Sequence, residues 1–146
     1  QVQGLKAFSS EDEGFYHLED YKDYVDETGR VPVFFAVRIQ APFAVQILVN
    51  AGADLSILNK TSMSTRKFSP LQEAASSAGF YKGKHFQRSF EIMDILLEGG
   101  ADPTQKDNRG STALAIVQSQ ISNSGQKKVI ERLEEAEAVW KKKHSS

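Results

Sequence analysis

No cysteine occurs among the 146 residues, which excludes a disulfide framework and a thiolate-held metal site. That usage fits a reducing compartment, and a cytoplasmic location is the expectation. Histidine is scarce as well. His17, His85 and His144 stand far apart, and none falls in the H-x-x-x-H spacing that sets two ligands on one helix face. No apolar run approaches the ~20 residues that a membrane span requires. The net charge is −1, so global charge supplies no attraction to nucleic acid. Nucleophile elbows, phosphate loops and dinucleotide fingerprints are all missing. Glu91 and Asp94 are expected to be solvated helix-surface carboxylates, not an acid–base pair. The expectations are therefore no metal, no cofactor and no catalysis. The chain opens on Gln1, which leaves room for a leader or a further domain upstream.

What is present is ordinary globular material. Apolar residues make up 40% and charged residues 25% of the chain, enough for one domain with a packed core. Charge is unevenly spread. Residues 11–27 hold eight acids against Lys22, whereas residues 60–88 hold six basic residues opposed only by Glu73.

The most informative feature is a stretch written twice. "ILVNAGADL" occupies residues 47–55 and "ILLEGGADP" residues 95–103. In the second, Ile92, Met93, Leu96 and Leu97 recur at helical spacing and form a broad apolar face. Val45, Ile47, Leu48 and Val49 do the same upstream. Gly52 and Gly100 occupy the aligned positions where a helix ends in the left-handed conformation. The restart is equally legible. "SPLQEAA" at residues 69–75 offers Ser69 as N-cap, Pro70 at the first helical position and Gln72 for a capping box. "STALAIV" at 111–117 has Thr112 as cap, and "RVPVFFAV" at 30–37 keeps Pro32 with a weaker cap in Val31. Small residues follow, with Ala74 and Ala75 the clearest pair. "DETG" at 26–29 and "DNRG" at 107–110 carry the aspartate and glycine of tight turns.

In this order, the motifs resemble the ankyrin repeat family, whose unit runs turn, T-P-L-H-x-A-A, leucine-paired helix and G-A-D over about 33 residues. The resemblance implies an all-α solenoid of three helix-turn-helix repeats with projecting turns and helical caps. Repeat one would cover residues 26–60. Repeat two, at 61–106, would carry a long hairpin and an inter-helix insertion, and repeat three with the C-terminal cap helix would cover 107–146. Residues 1–25 would hold a tail and a cap helix from Ser10 to Val25. The departures are specific. Phe34, Gln72 and Ala115 replace the family's histidine, so its hydrogen bond to the preceding hydroxyl residue is expected to be lost. Ser56 and Thr104 replace an asparagine, and the turn after Asp54 is about five residues too long. A final helix is expected from about Gln126 to Lys142, with Val129, Leu133, Ala136 and Trp140 in one stripe and lysines at its negative end. The array is expected to stop there.

The resemblance implies non-covalent recognition of a protein partner by a monomer, in an adaptor or scaffold cut from a larger intracellular protein. A bacterial or viral effector and a regulatory domain of an enzyme imply the same surface. Candidate partner residues on the first helices are Phe35, Arg38, Glu73, Ser76 and Ser77. The segment "AGFYKGKHFQRSF" at 78–90 reads as a flexible loop between Gly79 and Gly83. It contributes Phe80, Tyr81, Lys82, Phe86 and Arg88, since aromatic and arginine side chains dominate interface energetics. Three readings of it stay open: packing on its own helices, partner contact, or nucleic-acid binding by interleaved aromatic and basic groups. The long turn at 56–69 adds Met63 and Arg66.

Overall fold

A computed structural model describes residues 32–59, 67–120 and 125–145. The expected cap helix at residues 10–25, together with Met63 and Arg66, lies outside the described residues. Among those described there are six α-helices and no strand: α1 (Pro32–Arg38), α2 (Pro42–Asn50), α3 (Pro70–Phe80), α4 (Gly83–Glu98), α5 (Ala113–Gln118) and α6 (Gln126–His144). None is long and apolar enough to cross a membrane.

Local chemistry sets the boundaries. Pro70 opens α3 at a position where its missing N–H costs no bond. Ser69 and Gln72 close the expected capping box: Gln72 N donates to Ser69 Oγ at 3.2 Å, and Ser69 N donates to Gln72 Oε1 at 2.8 Å. In α5 the Ala115 amide donates to Thr112 Oγ1 at 3.2 Å. The last turn of α6 collects Lys141, Lys142, Lys143 and His144 at its negative end.

The two related stretches end their helices with the same bonds. Ala53 N donates to Leu48 O, and Ala101 N to Leu96 O, both at 3.0 Å. Gly52 and Gly100 take φ of +88° and +101°, the left-handed region that a side chain would strain. Gly99 is glycine for another reason, because a Cβ there would collide with the Val49 side chain of α2. Asp54 and Asp102 then accept from the residue two places on, through both its amide at 2.8 Å and its hydroxyl at 2.6 Å. Ser56 and Thr104 supply those groups. The doubled hydrogen bond holds the Asp54 carboxyl below its ordinary pKa.

The following turns close alike. Asn59 N donates to Phe68 O at 2.8 Å, and Asp107 N to Ser111 O at 2.9 Å. Nine steps separate the first pair and four the second, so the extra length read from sequence lies inside the first turn. Side chains tie neighbouring turns together. Lys67 N donates to Asn108 Oδ1 at 2.8 Å, and Gln105 Nε2 donates to Ser56 O at 2.7 Å. Gln72 bonds the Ser69 amide through its side-chain oxygen, as the capping box requires. Its Nε2 also donates to Gln105 O at 3.0 Å.

Packing sorts the helices by order. α1 lies against α3 and α3 against α5, while α2 lies against α4; α6 packs on α5 and α3. The row α1, α3, α5 touches through small residues, since Ala36, Ala74, Ala75, Ala78 and Ala113 are all buried. The second helices fill the core with larger side chains. Leu48, Ile92, Met93, Leu96 and Leu133 are wholly buried, each contributing about 1.5–3 kcal/mol by leaving water. Arg132 Nε on α6 donates to Asp94 Oδ1 on α4 at 2.6 Å, so Asp94 is a structural ion-pair partner and not the solvated carboxylate expected.

Residues 78–90 depart most from the sequence reading. They form no flexible loop. α3 runs through Gly79 to Phe80, only Tyr81 and Lys82 link the helices, and α4 begins at Gly83. Gly79 is buried within α3, and a Cβ on it would strike the Gln120 side chain and crowd Val117. Gln120 has little room to withdraw, because its Nε2 donates to Ser76 O at 2.9 Å and to Ser76 Oγ at 3.1 Å.

Candidate functional site

Where α1 ends, the chain must turn back within three residues to start α2 at Pro42. Gln40 makes that turn with φ of +58°, a conformation that costs a non-glycine residue about 1 kcal/mol or more. Its side chain offsets the strain by bonding to α4. Gln40 Nε2 donates to Ser89 Oγ at 3.0 Å and to His85 O at 3.4 Å. With the amide nitrogen so committed, Gln40 Oε1 accepts from His85 Nδ1 at 2.6 Å. The proton of a neutral His85 ring therefore sits on Nδ1, and Nε2 remains an acceptor.

This staple closes one side of a cleft of about 570 Å³ lined by Arg38, Gln40, Glu73, Ser77, Tyr81 and His85. Each wall has a local cause. Glu73 and Ser77 are one turn apart on α3, beside the buried Ala74, Ala75 and Ala78 that press it against its neighbours. Arg38 is the last residue of α1. Tyr81 has left the helix with extended backbone, and its ring stands edge-on to Phe80 at 5.1 Å and tilted toward His85 at 5.4 Å. The electrostatics are mixed. Partial burial pushes the Glu73 carboxyl above its ordinary pKa, and the Arg38 guanidinium partly opposes that shift. The pair is loose, at 3.9 Å. The cleft thus offers a cation, a partly desolvated carboxylate, a hydroxyl, an imidazole and an aromatic face, suited to gripping a polar chain by several weak bonds.

Of the residues chosen from sequence, Arg38, Glu73, Ser77 and Tyr81 come together here. Phe80 stands at the rim with 67% of its surface exposed, and Lys82 and Arg88 are also exposed. Phe35 is half-buried and packs against the core. Ser76 is engaged by Gln120. Phe86 is a structural residue: its ring fills the space where Gly125 lacks a side chain and lies 5.6 Å from Phe90. Sequence reasoning missed Gln40 entirely, because its partners are 45 and 49 residues away.

A second groove, of about 350 Å³, runs between α4 and α6, with Leu97, Pro103, Val139 and Trp140 among its lining residues. Trp140 stacks on His144 at 4.0 Å. Among the described residues no group of three His, Cys, Asp or Glu side chains is placed to share a metal ion. No protein-family model matches the chain, and no curated protein matches its sequence.

Proposed function

We propose that the chain is a divergent ankyrin-like array whose work is to hold a protein partner without transforming it. The repeated motifs support the array, and so does the recurrence of the helix stop, the aspartate turn and the closing bond at matching places. α1 with α2, α3 with α4, and α5 with α6 are then three stacked units, and the turns tied by Gln72 and Gln105 form one edge of the stack. Non-covalent recognition of this kind suits an adaptor or scaffold within a larger intracellular protein.

The observation that carries the recognition reading is the convergence of Arg38, Glu73, Ser77 and Tyr81 on one cleft with Phe80 exposed at its rim. Arg38, Glu73, Ser77 and Phe80 lie on helices fixed by buried alanines and by the Gln40 staple, and Tyr81 lies on the two-residue link between α3 and α4. A partner meeting them pays little ordering entropy on the array's side. Arg38→Ala combined with Tyr81→Ala removes two exposed walls of the cleft while sparing the core. The double variant should keep the melting temperature of the parent and lose specific partners when both are compared as baits in quantitative affinity capture. An unchanged set of captured proteins would place recognition elsewhere on the molecule.

A further inference from the structure

We infer that the first two turns of α4, with the aromatic link before them, dock an acidic segment of a partner protein that also carries an apolar side chain. This rests on the recognition reading and names the chemistry of what is recognised.

Charge is the first argument. Lys82, Lys84 and Arg88 are exposed, and none has a carboxylate within ion-pair distance among the described residues. Lys84 and Arg88 are four residues apart and so share a helix face. Arg38 stands nearby across the Gln40 staple, engaged only loosely by Glu73. Among the described residues, Glu73, partly withdrawn from solvent, and Glu91, about a turn beyond Arg88 along α4, stand against these four cations. The balance of the described residues here is positive in a chain whose net charge is −1, so the surface complements an acidic ligand.

Apolar exposure is the second argument. Five large hydrophobic side chains are exposed among the described residues, and four of them, Ile39, Phe43, Phe80 and Tyr81, belong to this end of the fold. Phe80 ends α3, and Tyr81 lies on the two-residue link before α4. Ile39 and Phe43 flank the α1–α2 turn that Gln40 ties to His85 and Ser89. Such a patch beside solvated cations fits a peptide with an aromatic or aliphatic anchor and acidic neighbours. A nucleic-acid strand would need a longer cationic track and stacking faces along it.

The test measures fluorescence anisotropy of short labelled peptides with the full chain. One probe carries aspartates and glutamates around a leucine and a tryptophan. In a second, lysines replace the acids, and in a third, glycines replace the two apolar residues. The first probe should bind at least about tenfold more tightly than either control, and its affinity should fall as salt is raised. Lys84→Glu with Arg88→Glu should weaken it at least about tenfold. The melting temperature should be unchanged, because both side chains are exposed. Equal binding of the lysine probe would overturn the inference, and so would tighter binding of single-stranded DNA than of the acidic probe. Self-association in sedimentation that the double variant abolishes would also overturn it, by showing a second copy as the occupant. If the acidic probe fails while Arg38→Ala with Tyr81→Ala still loses partners, the chemistry is wrong and the recognition reading stands.

Discussion

Gln72→Ala removes a side chain that is buried and bonded at both ends. Its oxygen accepts from Ser69 N at 2.8 Å, and its nitrogen donates to Gln105 O at 3.0 Å and weakly to Ser111 O at 3.5 Å. Truncation orphans the buried Ser69 amide, at about 1–3 kcal/mol, and leaves the half-buried Gln105 carbonyl without its bond, at about 1 kcal/mol. Losing the γ and δ groups from a packed site adds about 1–2 kcal/mol. The expected cost is therefore roughly 3–6 kcal/mol, a large share of the ~5–15 kcal/mol that holds a domain folded. Ser69→Ala is the control, because it loses only the cap accepted by Ser69 Oγ, worth about 1 kcal/mol. Gln72→Glu supplies the decisive contrast. It keeps an acceptor for Ser69 N but turns a carboxylate oxygen toward two carbonyls, so its folded-state pKa must rise. A raised carboxyl pKa destabilises above the window between unfolded and folded values, and the cost fades as pH falls through it. Gln72→Glu should then approach parental stability only in acid, where the neutral carboxyl can donate to Gln105 O. Urea unfolding followed by far-UV circular dichroism across pH measures all three variants. Equal costs for Ser69→Ala and Gln72→Ala would falsify the bridge between turns, as would a pH-independent Gln72→Glu.

Leu96→Ala should cost roughly 2–5 kcal/mol in the same assay, since Leu96 is wholly buried where α4 meets its neighbours; a loss below about 0.5 kcal/mol would show that the site is not packed. Glu73→Gln should stabilise the fold relative to the parent above the ordinary carboxyl range and make no difference below it. The reason is that burial raises the folded-state pKa of Glu73, and the parent loses stability as pH climbs through that window; thermal melts at several pH values read the difference. Phe86→Ala should destabilise by about 2–4 kcal/mol by emptying the space beside Gly125 and Phe90, whereas Phe80→Ala should stay within about 1 kcal/mol, because Phe80 is exposed.

The contrast between Phe86 and Phe80 shows what was legible in the sequence and what was not. Helix ends were readable because their signals are local: a serine cap with proline after it, a glycine taking positive φ, and an aspartate bonding two residues ahead. The segment at 78–90 was misread for a reason equally physical. Gly79 and Gly83 look alike in sequence, yet only Gly83 has the positive φ that suggests a turn. Gly79 is a helical residue made small by the approach of Gln120, some forty positions away. A glycine that answers to its backbone can be read from its neighbours, and one that answers to a partner across the fold cannot. The site divides in the same way. Arg38, Glu73 and Ser77 were accessible because helical spacing sets them beside buried alanines. Gln40 carries no such mark, since nothing adjacent tells that its backbone is left-handed or that His85 and Ser89 hold it there. Yet Gln40 fixes the α1–α2 turn against α4 and so joins the cleft to the cationic, aromatic surface beside it. Helical periodicity reached Arg38, Glu73 and Ser77, and the bond that draws the cleft together lay beyond its reach.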